Sequence, residues 1–296
     1  MTAPAYANSL LSSADGHPQR HLQEPQPGGG APLAPTSPAQ HSAQPAVVAP
    51  TAAAVITPQP QTQPQACPAP GVPGYLTEVY NWAYVSPRAL QTFERQWLVN
   101  AILFGNYRAL LNDALALLGE RLPGRTLQIA CVYGDLTAEI LKRVPAGEGQ
   151  LSVVDVLPQQ LANLRHKLAG QPGADNVDLL LGDSSALPLA DASMDRALLF
   201  FLLHEQPEDV RRGTLAQALR VLKPGGRLVV VDYHRPSAWH PLHWPMRGVL
   251  ATLEPYALDL WGHAIEHWMP PQPPVRLLSR HTRFAGLYQV MEYERL

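Results

Sequence analysis

Four polar side chains stand where apolar runs of the sequence end: Asp155, Asp183, Ser184 and His204. A carboxylate at the end of a strand can accept hydrogen bonds from both hydroxyls of a ribose, and this is the role predicted for Asp155, with a helix N-cap as the alternative. The Asp183–Ser184 pair can reach an adenine edge, and the imidazole of His204 exchanges a proton near neutral pH. The pattern predicts a nucleoside site with an acid–base or metal-binding group beside it.

The stretch at residues 126–144 predicts how these side chains come together. An alternating apolar run is followed by the turn Tyr133-Gly134-Asp135 and then by apolar residues at helical spacing. A strand that turns directly into a helix presents free backbone N–H groups and the positive end of the helix dipole. Because open α/β sheets bind ligands beyond the carboxyl ends of their strands, this turn is the predicted centre of the site.

The order of elements predicts an α/β fold with a doubly wound, mostly parallel sheet, because strands and helices alternate from Arg125 onward. The later strands are predicted at residues 150–154, 177–181, 196–203 and 227–231, with a final antiparallel edge strand in the C-terminal FAGLYQVMEYERL. His204 then closes the fourth strand. The helix that follows is predicted to bury Val210, Leu215, Leu219 and Leu222.

The chain is expected to have three parts. Residues 1–73 hold 15 of the 31 prolines and very few charges, which is typical of a disordered tail, with a Pro-rich docking arm as the alternative. Residues 74–120 predict an N-terminal helical cap that ends at Gly119. Residues 121–296 form the predicted α/β domain, in which residues 232–275 make a helical, aromatic insertion that faces the substrate or a membrane.

The cap is unusually rich in aromatic side chains. These side chains either pack in the core of the cap or form the lid of a pocket for a flat, apolar substrate. They are Tyr75, Tyr80, Trp82, Tyr84, Phe93 and Trp97. Leu90, Phe93, Trp97 and Ala101 also lie at helical spacing.

Composition excludes several classes of protein. The net charge of −2 does not favour a nucleic-acid partner. Cys67 and Cys131 provide neither a disulfide framework nor a zinc site. The N-terminus lacks the features of a secretory or mitochondrial leader, and the longest apolar run, residues 197–203, is too short to span a bilayer. A soluble or membrane-peripheral protein is expected.

The ordered set of strand–turn–helix, Asp155, GDSSALPLADASMDRALL, FFLLHE and LRVLKPGGRLVVVD resembles the class I S-adenosylmethionine (SAM) dependent methyltransferases, most of all those that act on quinones. The resemblance implies SAM as the cofactor, with Asp155 and its neighbour Val156 at the ribose. It also implies that Asp183 and Ser184 lie near the adenine. The dinucleotide fingerprint G-x-G-x-x-G is absent, so NAD or FAD is the weaker alternative.

The first turn departs from the family pattern D/E-x-G-x-G-x-G, because the corresponding positions here are Gln128, Ala130, Val132 and Gly134. In the family this loop contacts the amino-acid end of SAM. Ala130, Val132, Tyr133 and Gly134 are therefore expected to bind the cofactor, but the bulk of Val132 and Tyr133 shifts its methionine end. Asp135 either attracts an ammonium group or a metal, or only caps the helix.

The motif VYGDLT, with NWAYVSPRALQTFERQWLVNAILFGNY, LLFFLLHEQPEDVRR and VVVDYHRPSAWHP, is similar to the rhodoquinone-biosynthesis family often labelled RquA. Members of that family use SAM as an amino donor, replace a methoxy group of ubiquinone by NH₂, and require Mn²⁺. The resemblance implies ubiquinone as the substrate and a cytoplasmic protein peripheral to the inner membrane.

Tyr133, Asp135 and His204 are predicted to line the reacting end, with His204 as the more suitable base or metal ligand and a structural histidine as the alternative. The metal ligands are left open. His240-x-x-His243 and His263-x-x-x-His267 have a possible spacing, but Mn²⁺ prefers carboxylates to imidazole. The alternatives to amino transfer are methylation of a quinol or phenol and a non-catalytic scaffold of quinone biosynthesis.

Overall fold

The computed structural model of the chain describes residues 71–78 and 96–296. Most of the predicted tail and residues 79–95 of the cap lie outside the described residues. The roles predicted for Tyr80, Trp82, Tyr84, Leu90 and Phe93 therefore stay predictions.

Three described helices precede the sheet: α1 Gly74–Glu78, α2 Gln96–Ile102 and α3 Tyr107–Leu118. Helix α3 ends as predicted at Gly119, whose φ of 115° suits a residue without a side chain and whose N–H donates to the carbonyl of Leu115. The helix buries an apolar stripe against the sheet because its apolar residues recur every three to four positions. The stripe comprises Tyr107, Leu110, Leu111, Ala114, Leu115 and Leu118.

Seven strands form one sheet in the order β3-β2-β1-β4-β5-β7-β6. They are β1 Gly124–Ile129, β2 Gly149–Asp155, β3 Val177–Leu181, β4 Met194–Phe200, β5 Leu222–Tyr233, β6 Val275–Arg283 and β7 Tyr288–Arg295. The first five pair in parallel, and β7 is antiparallel to both β5 and β6. This confirms the predicted doubly wound, mostly parallel α/β sheet. The strand order reverses between β1 and β4, and such switch points are where open α/β sheets bind ligands.

The remaining helices connect and cover the strands. They are α4 Leu136–Leu141, α5 Pro158–Leu168, α6 Glu208–Val221, α7 His243–Leu253 and α8 Ala257–Gly262, with 3-10 turns at Ala174–Asn176, Leu203–Glu205 and Ile265–Trp268. Adjacent residues of the central strands enter different cores: Leu198 and Val229 pack in one, whereas Leu199 and Val230 pack in the other. Both faces of the sheet are therefore covered, which explains the continuous apolar runs of β4 and β5.

Three details differ from the sequence prediction. The edge strand of the sheet is β6, which is largely exposed and therefore lacks an alternating apolar pattern. The predicted edge strand, β7, lies between β5 and β6. Helix α6 buries Arg211 rather than Val210, because carbonyl oxygens of Leu203, Gln206 and Tyr256 accept hydrogen bonds from its Nε and Nη2 atoms.

The third difference concerns the end of β4. The strand stops at Phe200, and His204 lies in the following 3-10 turn rather than at the strand end. The carboxylate of Asp232 accepts the backbone N–H groups of Leu203 and His204, at 2.9 and 3.3 Å, and holds the chain in this turn. Asp232 belongs to β5, and the local sequence pattern gave no signal that its carboxylate binds the turn after β4.

The insertion after β5 contains α7, α8 and the last 3-10 turn, and thus forms the helical, aromatic lid. Several of its large apolar side chains are exposed, among them Trp239 at 95% and Trp244 at 68%. On the cap side, Trp97 is 65% exposed, so it is not a core residue. Over residues 71–78 and 96–296, no helix is long and apolar enough to cross a membrane.

Candidate functional site

A small pocket of about 70 Å³ lies beyond the carboxyl ends of β1, β2, β3 and β4. Five of the predicted cofactor-binding residues line it: Ala130, Asp155, Val156, Asp183 and Ser184. The strands bring these residues together because parallel neighbours end at the same edge of the sheet. This pocket is therefore the expected place of the predicted nucleoside site.

Asp155 is buried at the end of β2, and its carboxylate joins two segments of backbone. Oδ2 accepts the N–H of Cys131 at 2.7 Å, and Oδ1 accepts the N–H of Leu157 at 2.8 Å. Burial raises the pKa of this carboxyl, and the backbone donors oppose that rise. Each oxygen keeps a second lone pair, which leaves acceptors for two ribose hydroxyls.

Asp183 and Ser184 belong to a polar wall on the opposite side of this pocket. Asp183 Oδ1 accepts the N–H and the hydroxyl of Ser185, and the Ser184 hydroxyl is hydrogen-bonded to Gln206 Nε2 at 3.0 Å. Gln206 is fully buried, and its Oε1 accepts no hydrogen bond from a residue of the described ranges. An unpaired buried amide oxygen is costly, so a donor on a bound ligand suits this position.

Tyr75 of helix α1 also lines the small pocket. Burial, and then the charges of Glu205, Asp183 and Asp155, raises the pKa of its phenol. Its ring meets that of Tyr256 edge to face, with 6.5 Å between centroids. A short segment of the cap therefore reaches both the cofactor pocket and the lid.

The first turn keeps a glycine-type backbone although its glycines are partly replaced. Ala130 has a φ of +71°, in the left-handed region that glycine adopts without strain. Gln128, where the family pattern has a carboxylate, is fully buried, donates to the carbonyl of Ala130 at 2.9 Å and accepts from the Thr137 hydroxyl at 3.0 Å. The amide thus braces the turn and carries no charge for a ligand.

Asp135 faces helix α3. Its Oδ1 accepts the Tyr107 hydroxyl at 3.0 Å, its Oδ2 lies 2.7 Å from the Arg108 guanidinium, and its N–H donates to Tyr107 Oη at 3.0 Å. The side chain makes no cap hydrogen bond to α4. Asp135 therefore lies behind Tyr107, whose ring lines the larger cavity, and is not itself among the residues that line either cavity.

A larger cavity of about 580 Å³ adjoins the small pocket, and Cys131, Phe201 and Glu205 line both. Its wall is mostly apolar and comes from α2, the first turn, β4 and α7. The other lining residues include Leu98, Ile102, Phe104, Tyr107, Val132, Tyr133, Phe200, His204, Tyr233, Met246, Val249, Leu250, Leu253 and Glu254. Such a cavity suits a flat, apolar molecule next to the cofactor.

His204 is the buried basic group of this cavity. Its Nδ1 lies 2.9 Å from Asp232 Oδ1, and its Nε2 lies 3.4 Å from Glu254 Oε2 and 3.8 Å from Glu205 Oε1. Burial lowers the pKa of the imidazole, but the charges of Asp232, Glu254 and Glu205 outweigh it and raise the pKa to about 9. At neutral pH the ring is therefore cationic and can donate to a developing anion.

Two of the three residues predicted for the reacting end, Tyr133 and His204, line this cavity. The third, Asp135, does not line it but accepts a hydrogen bond from Tyr107, which does. Of the remaining predicted cofactor residues, Val132 lines the large cavity. Gly134 lies so close to Tyr107 that a Cβ at this position would be 2.5 Å from Tyr107 Oη. Sequence reasoning missed Gln206 and Glu254, and it named Tyr75 only as a core residue of the cap or as part of the lid of a substrate pocket. Gln206 directly follows His204 and Glu205, so the same motif could have indicated it, whereas Glu254 lies in an insertion without a periodic pattern.

The described residues do not fit a Mn²⁺ site, because no group of three or more His, Cys, Asp or Glu side chains among them could hold a metal ion. The Nδ1 atom of His240 accepts the N–H of Leu242 at 3.1 Å. The rings of His263 and His267 stack with 4.3 Å between centroids, and the Arg212 guanidinium adjoins His267. Neither histidine pair is completed by a third ligand within the described ranges.

Comparison with known proteins agrees with this geometry. Residues 126–226 match the family described as "Methyltransferase domain". The chain is 32% identical over 142 residues to the ubiquinone/menaquinone biosynthesis C-methyltransferase UbiE of Marinomonas sp. (strain MWYL1), covering 48% of this chain and 55% of that protein. It is 31% identical over 137 residues to the protein of the same name from Cereibacter sphaeroides (strain ATCC 17029 / ATH 2.4.9), covering 46% and 53%. The chain thus spans about half the length of the curated relatives it matches.

Two solved structures have a similar fold. The mitomycin 7-O-methyltransferase MmcR gives a TM-score of 0.53 at 20% identity, covering 74% of this chain and 60% of that one. The pyocyanin biosynthetic protein PhzM gives 0.52 at 16% identity, covering 74% and 62%. The chain therefore has the Rossmann-like fold of class I SAM-dependent methyltransferases. The narrower resemblance to the rhodoquinone-biosynthesis family stays a prediction.

Proposed function

We propose that this chain binds SAM and transfers its amino group to ubiquinone, replacing a ring methoxy group to give rhodoquinone. SAM is supported by the methyltransferase-domain match and by the nucleoside pocket around Asp155. A quinone is supported by the adjoining apolar cavity and by the names of the relatives, which are quinone-biosynthesis methyltransferases.

The position of the carboxylates carries the proposal of amino transfer. At the first turn the family's carboxylate is replaced by Gln128, whose amide is engaged within the protein. Carboxylates instead border the apolar cavity at Glu205 and Glu254. Because an ammonium group is attracted to carboxylates, the amino end of the cofactor is drawn toward the quinone, as amino transfer requires and methyl transfer does not.

The reacting groups then have defined tasks. The α-ammonium loses a proton, and its nitrogen forms a bond to the ring carbon that carries the methoxy group. The electron pair moves to the conjugated quinone oxygen, where the cationic His204 can stabilise the charge. On its return the C–O bond breaks, and the methoxy group leaves as methanol with a proton. The nitrogen is then still bonded to Cα of the cofactor, so a base removes a Cβ proton, a Cα–Cβ double bond forms, and the Cα–N bond breaks with its electron pair returning to the nitrogen. The NH₂ group stays on the ring, and the rest of the cofactor leaves as an α,β-unsaturated acid. Since the described residues provide no metal cluster, no step is assigned to Mn²⁺.

The second candidate is methylation of a quinol or phenol, and the relatives named C-methyltransferase favour it. In that reaction the sulfonium methyl group, rather than the amine, faces the cavity. The bulk of Val132 and Tyr133, which line the cavity beside the first turn, disfavours the usual placement of the methionine end. A scaffold without catalysis would bind SAM and form no product.

A membrane surface is the proposed source of the quinone. The rim of the cavity carries the exposed Ile102, Phe104 and Val249. Phe104 stacks on Phe284, and His240 contacts Phe284 in turn, so the exposed Trp239 continues the same face. Tryptophans at a polar–apolar boundary are typical of peripheral binding to a bilayer.

Product analysis tests the proposal. Purified protein is incubated with short-chain ubiquinone and SAM labelled with ¹⁵N at its α-amine, with and without Mn²⁺, and the products are identified by mass spectrometry. Labelled aminoquinone supports amino transfer. A methylated product would support the second candidate, and SAM binding without product in detergent, with and without the metal, would support the scaffold.

A further inference from the structure

We infer that Glu254 is a catalytic residue, which accepts the proton of the nucleophile bound in the apolar cavity and works as an acid–base pair with His204. This inference rests on the proposed function of the site and identifies its base. It goes beyond the role that the resemblance suggests for His204 alone.

The position of Glu254 is fixed by the end of the lid helix. Its N–H donates to the carbonyl of Leu250 at 2.9 Å, so it directly follows helix α7. Its Oε2 atom is shielded from solvent, lies 3.4 Å from His204 Nε2, and accepts no hydrogen bond from any residue of the described ranges. Glu254 also lines the apolar cavity. Because the side chain is 23% exposed while Oε2 is buried beside His204, the Glu254 carboxylate is held at the cavity wall, where it can accept a ligand's proton.

The side chains around His204 define the charge next to Glu254. Asp232 binds the other ring nitrogen and is itself satisfied by backbone N–H groups of Leu203, His204 and Tyr233. Glu205 lies on the 3-10 turn, 3.8 Å from Nε2, and the phenol ring of Tyr233 faces the imidazole at 4.9 Å between centroids.

The Arg211 guanidinium of α6 interacts with the Asp232 charge, but its hydrogen bonds go to backbone carbonyls and it lies 3.5 Å from Asp259. The His204 imidazolium lies between the Asp232 and Glu254 carboxylates, and Glu254 offers negative charge that a ligand ammonium can balance.

Both candidate reactions need a proton acceptor at this point. Amino transfer begins when an ammonium nitrogen loses a proton, and methylation begins when a quinol does. The N–H or O–H bond of the nucleophile breaks as its proton passes to the Glu254 carboxylate, and no other bond changes in this step. Burial raises the pKa of Glu254, with the His204 charge opposing, which makes the carboxylate a stronger base than a solvated one.

The variant Glu254→Gln tests the inference, because it keeps the shape and hydrogen-bonding capacity of the side chain but cannot take up a proton. Glu148→Gln is the matched control: it removes a carboxylate that pairs with Arg121 before strand β2, at the amino edge of the sheet. Each variant is assayed for kcat, for SAM affinity by calorimetry, and for the pKa of His204 by NMR of ¹⁵N-labelled imidazole.

We expect Glu254→Gln to lower kcat by at least about 100-fold, to raise the SAM Kd because the ammonium loses a carboxylate, and to lower the pKa of His204. Glu148→Gln should match the wild type in all three. Wild-type turnover by Glu254→Gln would overturn the inference. If the wild-type protein forms no product, the proposed function fails, and the NMR titration still decides: an unchanged His204 pKa in Glu254→Gln would overturn the pairing.

Discussion

His204 and Asp232 form a buried pair in which Nδ1 and Oδ1 lie 2.9 Å apart. The same carboxylate accepts backbone N–H groups of the turn that carries His204. Asp232 therefore fixes the backbone turn after β4 and also stabilises the positive charge of the His204 ring. A pair that fixes both backbone and charge should be visible in stability as well as in activity.

The pair predicts a specific dependence of stability on pH. Since the folded-state pKa of His204 is raised to about 9 from 6.5, its contribution is fully present below pH 6.5 and is lost as the pH rises through 9. Over this window we expect the free energy of unfolding to fall by on the order of 3 kcal/mol. Urea unfolding at intervals of pH measures this, with His204→Asn as the comparison. An equal slope in that variant would contradict the assignment.

The first turn predicts a clear difference between two glycine substitutions. In Gly134→Ala the new Cβ would lie 2.5 Å from Tyr107 Oη, and the φ of +86° is strained for alanine. Gly147→Ala has a similar φ of +74° but meets nothing within 4 Å. We expect Gly147→Ala to cost about 1 kcal/mol of folding free energy and Gly134→Ala to cost at least about 1 kcal/mol more. Chemical denaturation measures the free energy of unfolding of both variants. Equal losses would show that Tyr107 moves aside to accommodate the new methyl group.

Asp155 predicts the strength of cofactor binding. Asp155→Asn removes the charge that ribose hydroxyls would contact, and so should weaken SAM binding by about 10- to 150-fold. Calorimetric titration measures the Kd, and Asp178→Asn, an exposed change on β3, is the control. An unchanged Kd in Asp155→Asn would rule out the carboxylate as the ribose ligand.

The exposed aromatic side chains of the lid predict membrane binding. Trp239→Ala with Trp244→Ala should reduce co-sedimentation with anionic lipid vesicles by at least about tenfold, because two large apolar side chains lose their place in the interface. Leu278→Ala, an exposed apolar change on the edge strand β6, should have no effect. If the tryptophan variant and Leu278→Ala lose co-sedimentation equally, or if neither loses it, the lid is not the membrane-binding surface.

Local patterns were sufficient for the sheet, and they led to five of the residues that line the small pocket. The ends of β2 and β3 are marked in the sequence by Asp155 and Asp183, so a strand pattern leads directly to the residues of the pocket. Residues supplied by distant elements carry no such mark. Tyr75 reaches the pocket from α1 and Glu254 from the end of α7, and only the fold brings them together.

The error at Arg211 has a different cause. Helical periodicity predicts apolar residues on the inner face, and a buried guanidinium is tolerated there only when partners compensate for most of its donors. Its partners are mostly backbone carbonyls, which any sequence supplies, and the ring of Trp268 at 4.5 Å. The compensation is therefore invisible until the tertiary structure is known.

The central claim is that the location of the carboxylates decides which end of SAM faces the quinone. The most direct measurement uses SAM labelled with ¹⁵N at the amine and ¹³C at the methyl group, reacted with short-chain ubiquinone by the wild type and by Gln128→Glu. We predict that the wild-type product carries ¹⁵N and no ¹³C, and that Gln128→Glu forms at least about tenfold less of it. A wild-type product that carries ¹³C and no ¹⁵N would contradict the account.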